Sequence, residues 1–266
     1  MSKNKDMIYT SKCMSCLFGC AKHKQFTKLS LKNMDIHYNI LLEVCAARRL
    51  RNKTDDWRQN MKYYIPTKVY QEIDAVKTHA EELAGYGSCA LIVPGKYSAR
   101  ANGALADVEA ALDAYGKKHV QYDEIEENPS VETVMKATEF GKRNGVDFVI
   151  AIGGGSPMDA AKAIAIMLAN PEKDADYLYE NVAHTKALPV VTIPTTCGTG
   201  SEVTGVAVLT VHAKRTKASL PHRVFPVLAL ADPKYLKTAS KKVIGQTAID
   251  ALGHMIESNL NTTATD

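Results

Sequence analysis

The sequence predicts an α/β fold around a mostly parallel sheet, and three observations support this fold class. From residue 61 onward, short continuous apolar runs alternate with segments of helical length. The apolar runs lack the in–out alternation of half-exposed strands, which indicates strands buried on both faces. Two of these runs lead directly into loops rich in glycine or threonine. Strands that alternate with helices in this way favour βαβ units and a parallel sheet.

The predicted elements follow one another in a regular order. Helices are predicted over Glu72–Ala84, Gly103–Tyr115, Val131–Asn144 and Pro157–Ala169. Strands are predicted over Cys89–Val93, His119–Tyr122, Phe148–Ile152 and Leu188–Ile193. Ser130 supplies an N-cap for the third helix. Pro157 lies near the first turn of the fourth helix, where its missing N–H costs nothing.

Composition and charge divide the chain into unlike parts. The 266 residues are 45% hydrophobic, enough for a sizeable core, and no apolar run approaches the ~20 residues of a membrane span. We therefore expect a cytoplasmic protein that does not cross a membrane. Residues 1–60 carry 12 Lys and Arg against 5 Asp and Glu, whereas residues 61–266 carry 21 against 24. The basic excess of the whole chain thus belongs to its first 60 residues.

These first 60 residues contain one cluster of candidate metal ligands. Cys13, Cys16, Cys20 and His23 are spaced C-x2-C-x3-C-x2-H, and such groups can bind zinc or an iron–sulfur cluster. The spacing differs from the common ligand sets, in which paired C-x2-C motifs lie many residues apart. The alternatives are a poorly ordered arm, or a segment outside the working protein with Met61 as the true start.

The loop Gly153–Ser156 joins a predicted strand to a predicted helix and contains three consecutive glycines. Glycines let the backbone approach a bulky anion, and the helix N-terminus offers free N–H groups. The GxGxxG fingerprint is absent because Met158 stands at its third glycine, and Lys162 lies too far into the helix for a Walker loop. The loop predicts phosphate binding, with a glycine turn that binds nothing as the alternative.

A second polar loop, Pro194–Glu202, directly follows the next predicted strand. Its hydroxyl groups and two glycines suit contacts with a phosphate, a ribose or a nicotinamide. Ligands of parallel α/β sheets bind outside the carboxyl ends of the strands, where both loops are expected. Together the two loops therefore favour a dinucleotide.

Asp250 and His254 are spaced i, i+4 on a predicted helix and share one of its faces. A carboxylate and an imidazole suit iron, zinc or manganese. Most isolated pairs of this kind are surface hydrogen bonds, so the pair needs further evidence to count as part of a metal site.

In this order, the motifs resemble the iron-containing (group III) alcohol dehydrogenases. The resemblance rests on Gly153–Lys162 (GGGSPMDAAK), Pro194–Glu202 (PTTCGTGSE) and Asp250–His254 (DALGH), with Asn128-Pro-Ser also typical of the family. It implies a dinucleotide-binding αβ domain over residues 61–238, then the beginning of an all-helical metal-binding domain over 239–266, as in dehydroquinate synthase-like folds. Residues 1–60 form a basic, Cys-containing extension outside it.

The resemblance also implies binding residues. Contacts with the cofactor pyrophosphate and its helix are implied for Gly154, Gly155, Ser156 and Asp159. Contacts with the phosphates and the nicotinamide ribose are implied for Thr195, Thr196 and Thr199. Lys217 occupies the place of a family lysine near the ribose. Asp250 and His254 occupy the places of the first two ligands of Fe²⁺, with Zn²⁺ as the alternative metal.

The stretch after the first long strand bears on cofactor choice. Members that prefer NAD carry an acidic residue there, which binds the ribose hydroxyls and repels a 2′-phosphate. Here Gly95 and Lys96 remove that repulsion, and Lys96 or Ser98 could donate to a phosphate. We therefore expect NADP(H) to be preferred over NAD(H).

The implied activity is reversible hydride transfer between NAD(P)(H) and a small primary alcohol or aldehyde, in a protein that is a homodimer at full length. The family's last two metal ligands are histidines deeper in the helical domain, so we expect this chain to be a fragment. One alternative is a zinc enzyme similar to glycerol dehydrogenase. Another is a non-catalytic dinucleotide-binding fragment whose basic arm contacts nucleic acid, although the arm lacks a recognised motif for that.

Overall fold

The chain alternates strands and helices in the predicted order. The computed structural model describes residues 64–261. The basic extension, with its Cys13, Cys16, Cys20 and His23 cluster, lies outside the described residues, as do the last five residues. Within residues 64–261, no helix combines the length and apolar character that a membrane crossing requires.

Six parallel strands form the central sheet, in the order β1-β8-β5-β4-β2-β3. The strands between residues 64 and 261 are β1 (Lys68–Tyr70), β2 (Cys89–Pro94), β3 (Lys118–Gln121), β4 (Phe148–Gly153), β5 (Val190–Pro194), β6 (Val208–Val211), β7 (Thr216–Ser219) and β8 (Leu228–Leu230). β6 and β7 pair as a separate antiparallel hairpin. The predicted α/β fold with a parallel sheet is confirmed.

Within the described residues, seven helices connect or follow these strands. They are α1 (Ala75–Thr78), α2 (Ala80–Ala84), α3 (Ser98–Ala101), α4 (Ala104–Ala114), α5 (Val131–Arg143), α6 (Gly155–Ala169) and α7 (Lys241–Leu260). Single 3₁₀ turns lie at Ala175–Tyr179, His212–Lys214 and Pro233–Leu236. The helix predicted over residues 72–84 is instead divided into α1 and α2, because His79 departs from helical geometry between them.

The four inner strands of the sheet, β2, β4, β5 and β8, are buried on both faces, as the continuous apolar runs predicted, whereas the edge strands β1 and β3 are partly exposed. In β4, Phe148, Ile150 and Ile152 pack with α1, α2 and α4 in one hydrophobic cluster. Val149 and Ala151 point to the opposite face and pack with α5 and α6. Successive side chains of a strand alternate between faces, so a strand covered on both sides is apolar at nearly every position.

The order of the strands creates a crevice at the carboxyl end of the sheet. From β2 the chain continues outward to β3, whereas from β4 it continues in the opposite direction to β5 and β8. The switch in direction therefore falls between the neighbouring strands β2 and β4. Open parallel sheets bind ligands outside such a switch point.

We predict that Ser130→Ala lowers the free energy of unfolding by about 1 kcal/mol. Ser130 is the N-cap of α5, where its Oγ accepts a hydrogen bond from the Thr133 backbone N–H at 3.2 Å. Urea unfolding followed by circular dichroism measures the change. An unaltered unfolding midpoint would mean that the cap does not contribute.

Candidate functional site

Three loops meet at the switch point of the sheet. The Gly95 backbone N–H, after β2, donates to the Ile152 carbonyl of β4 at 2.6 Å. The Thr195 backbone N–H, after β5, donates to the Gly153 carbonyl at 2.9 Å. The Thr195 hydroxyl donates to Ser98 Oγ at 3.2 Å, which joins the outer two loops directly. The loops predicted to bind a dinucleotide thus form one continuous surface.

The glycines allow the threonine-rich loop to lie directly on the glycine loop. A Cβ atom on Gly154 would stand 2.9 Å from Thr196 Oγ1, and one on Gly155 would stand 3.1 Å from Thr199 Cγ2. At Gly153, where φ is +155°, a Cβ would stand 2.4 Å from the Pro157 ring. Larger residues would therefore push the two loops apart at the start of α6.

A cleft of about 610 Å³ opens beside these loops. Seven of the residues predicted for cofactor or metal binding line it, namely Gly155, Ser156, Asp159, Thr199, Lys217, Asp250 and His254. The other predicted residues, Gly95, Lys96, Ser98, Gly154, Thr195 and Thr196, lie on the adjoining loops rather than in the lining. The cleft therefore brings residues of both predicted groups to one place.

Asn128 is a lining residue that the sequence analysis did not assign to the site. Its backbone N–H donates to Ser156 Oγ at 3.1 Å, and its carbonyl accepts from the Thr210 hydroxyl at 2.7 Å. Its side-chain oxygen accepts from Lys217 Nζ at 2.7 Å. The residue has φ of 56°, in the left-handed region that asparagine tolerates. The family-like Asn-Pro-Ser motif was the one signal that could have identified it.

A buried ion pair lies below the cleft. Lys162 has no exposed surface, and its Nζ donates to Ser201 Oγ at 2.8 Å, Thr204 Oγ1 at 3.2 Å and the Val206 carbonyl at 2.8 Å. Nζ lies 3.8 Å from Asp159 Oδ1. Both groups belong to α6, and all three of the hydrogen-bond acceptors belong to the loop between β5 and β6.

Asp159 holds the same loop from one turn earlier in α6. Its carboxylate accepts the Ser201 hydroxyl at 2.7 Å and the Val208 backbone N–H at 3.0 Å. Both carboxylate oxygens therefore bond within the protein. This geometry supports a role in shaping the cleft, whereas the resemblance alone implied a position at the pyrophosphate helix.

Burial shifts the titration of these charged groups. It lowers the pKa of Lys162 to about 8, although the negative charges of Asp159 and Glu202 oppose the shift. It raises the pKa of Asp159 despite the nearby Lys162 ammonium and the Ser201 hydrogen bond. It also raises the pKa of Glu202, again against the attraction of Lys162. Desolvation therefore outweighs the mutual attraction within this cluster.

The candidate metal ligands lie on α7, at the other side of the cleft. His254 Nε2 is 3.8 Å from Asp250 Oδ1, and both side chains are about half exposed. A metal ion bound to both side chains at 2.0–2.1 Å, with a tetrahedral angle between the two bonds, would hold Nε2 and Oδ1 about 3.3 Å apart. A small side-chain rotation would therefore let both atoms bind one ion. Within residues 64–261, no group of three or more His, Cys, Asp and Glu side chains could hold a metal. The pair fits half of a metal site.

The helix α7 touches the threonine-rich loop one turn before Asp250. A Cβ on Gly198 would stand 2.5 Å from the Thr247 carbonyl oxygen, and Ala251 is buried with 3% of its surface exposed. The Ser240 side chain caps the N-terminus of the helix through the Val243 N–H at 3.2 Å. These contacts hold the candidate metal ligands beside the loop predicted to bind the cofactor.

The stability of the protein should depend on the protonation of Lys162. Between pH values of about 8 and 10.5, the unfolded chain retains a Lys162 proton that the folded chain has released. The free energy of unfolding should therefore rise with pH in this window, by about 3 kcal/mol at most, relative to Lys162→Met.

Urea unfolding of both chains across that window measures the difference. Lys136→Met, which removes an exposed lysine of α5, is the matched control: it keeps Lys162, so its free energy of unfolding should rise with pH as that of the native chain does. A constant difference between the native chain and Lys162→Met would contradict the shifted pKa.

Comparison with known proteins tests the resemblance. The family model for iron-containing alcohol dehydrogenases matches residues 66–233, more than half of the chain. The chain is 38% identical to the long-chain primary alcohol dehydrogenase AdhA of Thermoanaerobacter ethanolicus, over 63% of this chain and 43% of that protein. It is 34% identical to NADH-dependent butanol dehydrogenase A of Clostridium acetobutylicum, over 74% of this chain and 51% of that protein.

A solved structure agrees with these relatives. The iron-containing alcohol dehydrogenase of Thermotoga maritima matches with a TM-score of 0.73 and 39% identity, over 77% of this chain and 56% of that one. The chain spans about half the length of the curated relatives it matches. The resemblance inferred from the three motifs is confirmed, and the chain belongs to the iron-containing alcohol dehydrogenase family.

Proposed function

We propose that this chain binds NAD(P)(H) and takes part in reversible hydride transfer between that cofactor and a small primary alcohol or aldehyde, assisted by a divalent metal. One observation carries the proposal. The glycine and threonine loops and the Asp250–His254 pair line the same cleft, so a cofactor and a metal-bound substrate could lie next to each other. Family membership supports an oxidoreductase of this type.

The loops would bind the dinucleotide through its phosphates. The first N–H groups of α6, from Gly155 and Ser156, have no partners within the helix and lie at the positive end of its dipole. The Thr199 hydroxyl and the Lys217 ammonium also line the cleft and could donate to phosphate or ribose oxygens. Asn128 holds the Lys217 ammonium toward this side of the cleft, so part of the site is formed in advance.

Asp250 and His254 would supply two ligands to Fe²⁺ or Zn²⁺. A divalent metal in this position acts as a Lewis acid that lowers the pKa of an alcohol. The role of this chain is to hold the two ligand side chains on α7, which packs against the threonine-rich loop through Gly198 and Thr247. The resemblance puts the remaining two ligands beyond residue 266.

For the cofactor, we propose a preference for NADP(H). Lys96 is exposed on the loop at the carboxyl end of β2, with its Nζ 6.0 Å from the centre of the Tyr97 ring. A lysine at this position attracts a 2′-phosphate, whereas an acidic residue would repel it. The name of the Clostridium acetobutylicum relative records NADH dependence for that protein, so the preference needs its own test.

We predict that NADPH raises the thermal unfolding temperature of the full chain more than NADH does at equal concentration. Lys96→Glu should weaken NADPH binding about tenfold without weakening NADH binding, because only NADPH carries the extra phosphate, whereas a carboxylate here can accept from the ribose hydroxyls of NADH. Lys136→Glu makes the same charge change on the exposed face of α5 and should leave both cofactors unaffected. Greater stabilisation by NADH would contradict the preference.

We predict that the chain binds Fe²⁺ or Zn²⁺ weakly at this pair, and that His254→Ala reduces the affinity at least about tenfold. Cys13, Cys16 and Cys20 are replaced by serine in every chain compared, so that the N-terminal cluster of candidate ligands does not contribute. Titration calorimetry with each metal measures the binding directly, without any need for turnover. His184→Ala removes an exposed histidine away from the cleft and should not change the affinity. Equal metal binding by His254→Ala and the native chain would exclude His254 as a ligand.

A further inference from the structure

The loop between β5 and β6 has little regular structure of its own, although it forms much of the cleft. Residues 195–207 contain turns and bends but no helix or strand. Six of them line the cleft, namely Gly198, Thr199, Gly200, Ser201, Thr204 and Val206. A few backbone hydrogen bonds hold the loop, such as those from the Val224 N–H to the Gly205 carbonyl and from the Leu220 N–H to the Ala207 carbonyl, and side-chain contacts supply the rest of its support.

Lys162 supplies these contacts from below. Its ammonium donates to Ser201, Thr204 and Val206, which span six consecutive residues of the loop. The side chain is entirely buried, so it cannot touch a ligand in the cleft. A buried ammonium is costly unless its protons are bonded, and here each of the three has an acceptor on the loop.

The charge partner of Lys162 does not compete for these bonds. Asp159 Oδ1 is 3.8 Å from Nζ, beyond hydrogen-bonding distance, and instead accepts the Ser201 hydroxyl at 2.7 Å. The carboxylate thus balances the charge, and the ammonium is left to bond the loop. Ser201 is held by both groups, which joins the loop to two successive turns of α6.

We propose that Lys162 is a positioning residue whose buried ammonium holds the loop Ser201–Val206 against α6 and thereby sets the geometry of the cofactor cleft. The proposal rests on the proposed function only in naming the ligand of the cleft. The hydrogen bonds from Lys162 to the loop set the shape of the cleft, whereas the ion pair with Asp159 contributes only to stability.

Four variants of the full chain separate these contributions. Lys162→Met removes the bonds and leaves Asp159 uncompensated. The double variant Lys162→Met/Asp159→Asn removes the bonds and the charge imbalance together, so its unfolding temperature should recover toward that of the native chain. Asp159→Asn alone measures what the change at Asp159, which also bonds to Ser201 and Val208, contributes by itself. Asn170→Leu is the matched control, since Asn170 is a buried residue at the other end of α6 whose side chain bonds to the Ile166 and Lys186 carbonyls.

Hydrogen exchange of loop amides in the cofactor-free protein is the first measurement. The Ser201 N–H donates to Thr199 Oγ1 at 3.3 Å and the Val203 N–H to the Gly200 carbonyl at 3.1 Å, so both report on the loop. We expect exchange at these two amides to quicken about tenfold or more in both Lys162 variants, and to stay near the native rate in Asn170→Leu.

NADPH affinity, measured by nicotinamide fluorescence, is the second measurement. The dissociation constant should rise about tenfold in both Lys162 variants, including the double variant with recovered stability, and should not change in Asn170→Leu. The proposal is overturned if the double variant exchanges and binds like the native chain, since charge balance alone would then explain Lys162. If the native chain binds no dinucleotide, the proposed function fails, and the exchange rates still decide the role of Lys162.

Discussion

The site depends on the pairing of β4 with β2 on one side and β5 on the other. Ladders of parallel pairs run from Val149 to Gly153 against β5 and from Phe148 to Ile152 against β2. Because these strands end at the same edge of the sheet, the loops that follow them must meet there. The glycine loop, the threonine-rich loop and the Gly95 loop are neighbours for this reason, although they are separated by many residues along the chain.

The close approach of those loops sets limits on their composition. Gly154 and Gly155 face Thr196 and Thr199 so closely that a Cβ on either glycine would require the facing threonine side chain to shift. Small residues therefore line one side of the contact and hydroxyl-bearing residues the other. This combination leaves backbone N–H groups and hydroxyl groups as the donors available to an anion, which is the chemistry that a dinucleotide phosphate requires.

Most of the sheet and the loop positions could be predicted from the sequence, because both depend on local signals. The apolar run Phe148–Ile152 requires a strand buried on both faces, and a glycine run followed by an apolar helix marks its carboxyl end. The strands β1 and β8 were missed because each has only three residues, too few for a pattern to be recognised.

The contacts that shape the cleft could not be predicted in the same way. Lys162 appeared only as a lysine too distant for a Walker loop and as the last residue of a family motif, and Asn128 only as part of another such motif. Lys162 bonds to partners that lie 39 to 44 residues away in the chain. Asn128 bonds to partners that lie 28 to 89 residues away. No short-range spacing encodes such contacts, because they exist only once the sheet has brought α6, the loop and the hairpin β6–β7 together.

The two halves of the cleft differ in how firmly the described residues fix them. On the cofactor side, buried hydrogen bonds from Lys162 and Asp159 hold the loop, and the ladder of β4 holds the glycine turn. On the metal side, Ala251 is the one buried residue of α7, and His254 has Asp250 as its charged neighbour at 3.8 Å. The half proposed to bind the dinucleotide is therefore formed in advance, whereas the half proposed to bind the metal would gain its geometry from the free energy of metal binding itself.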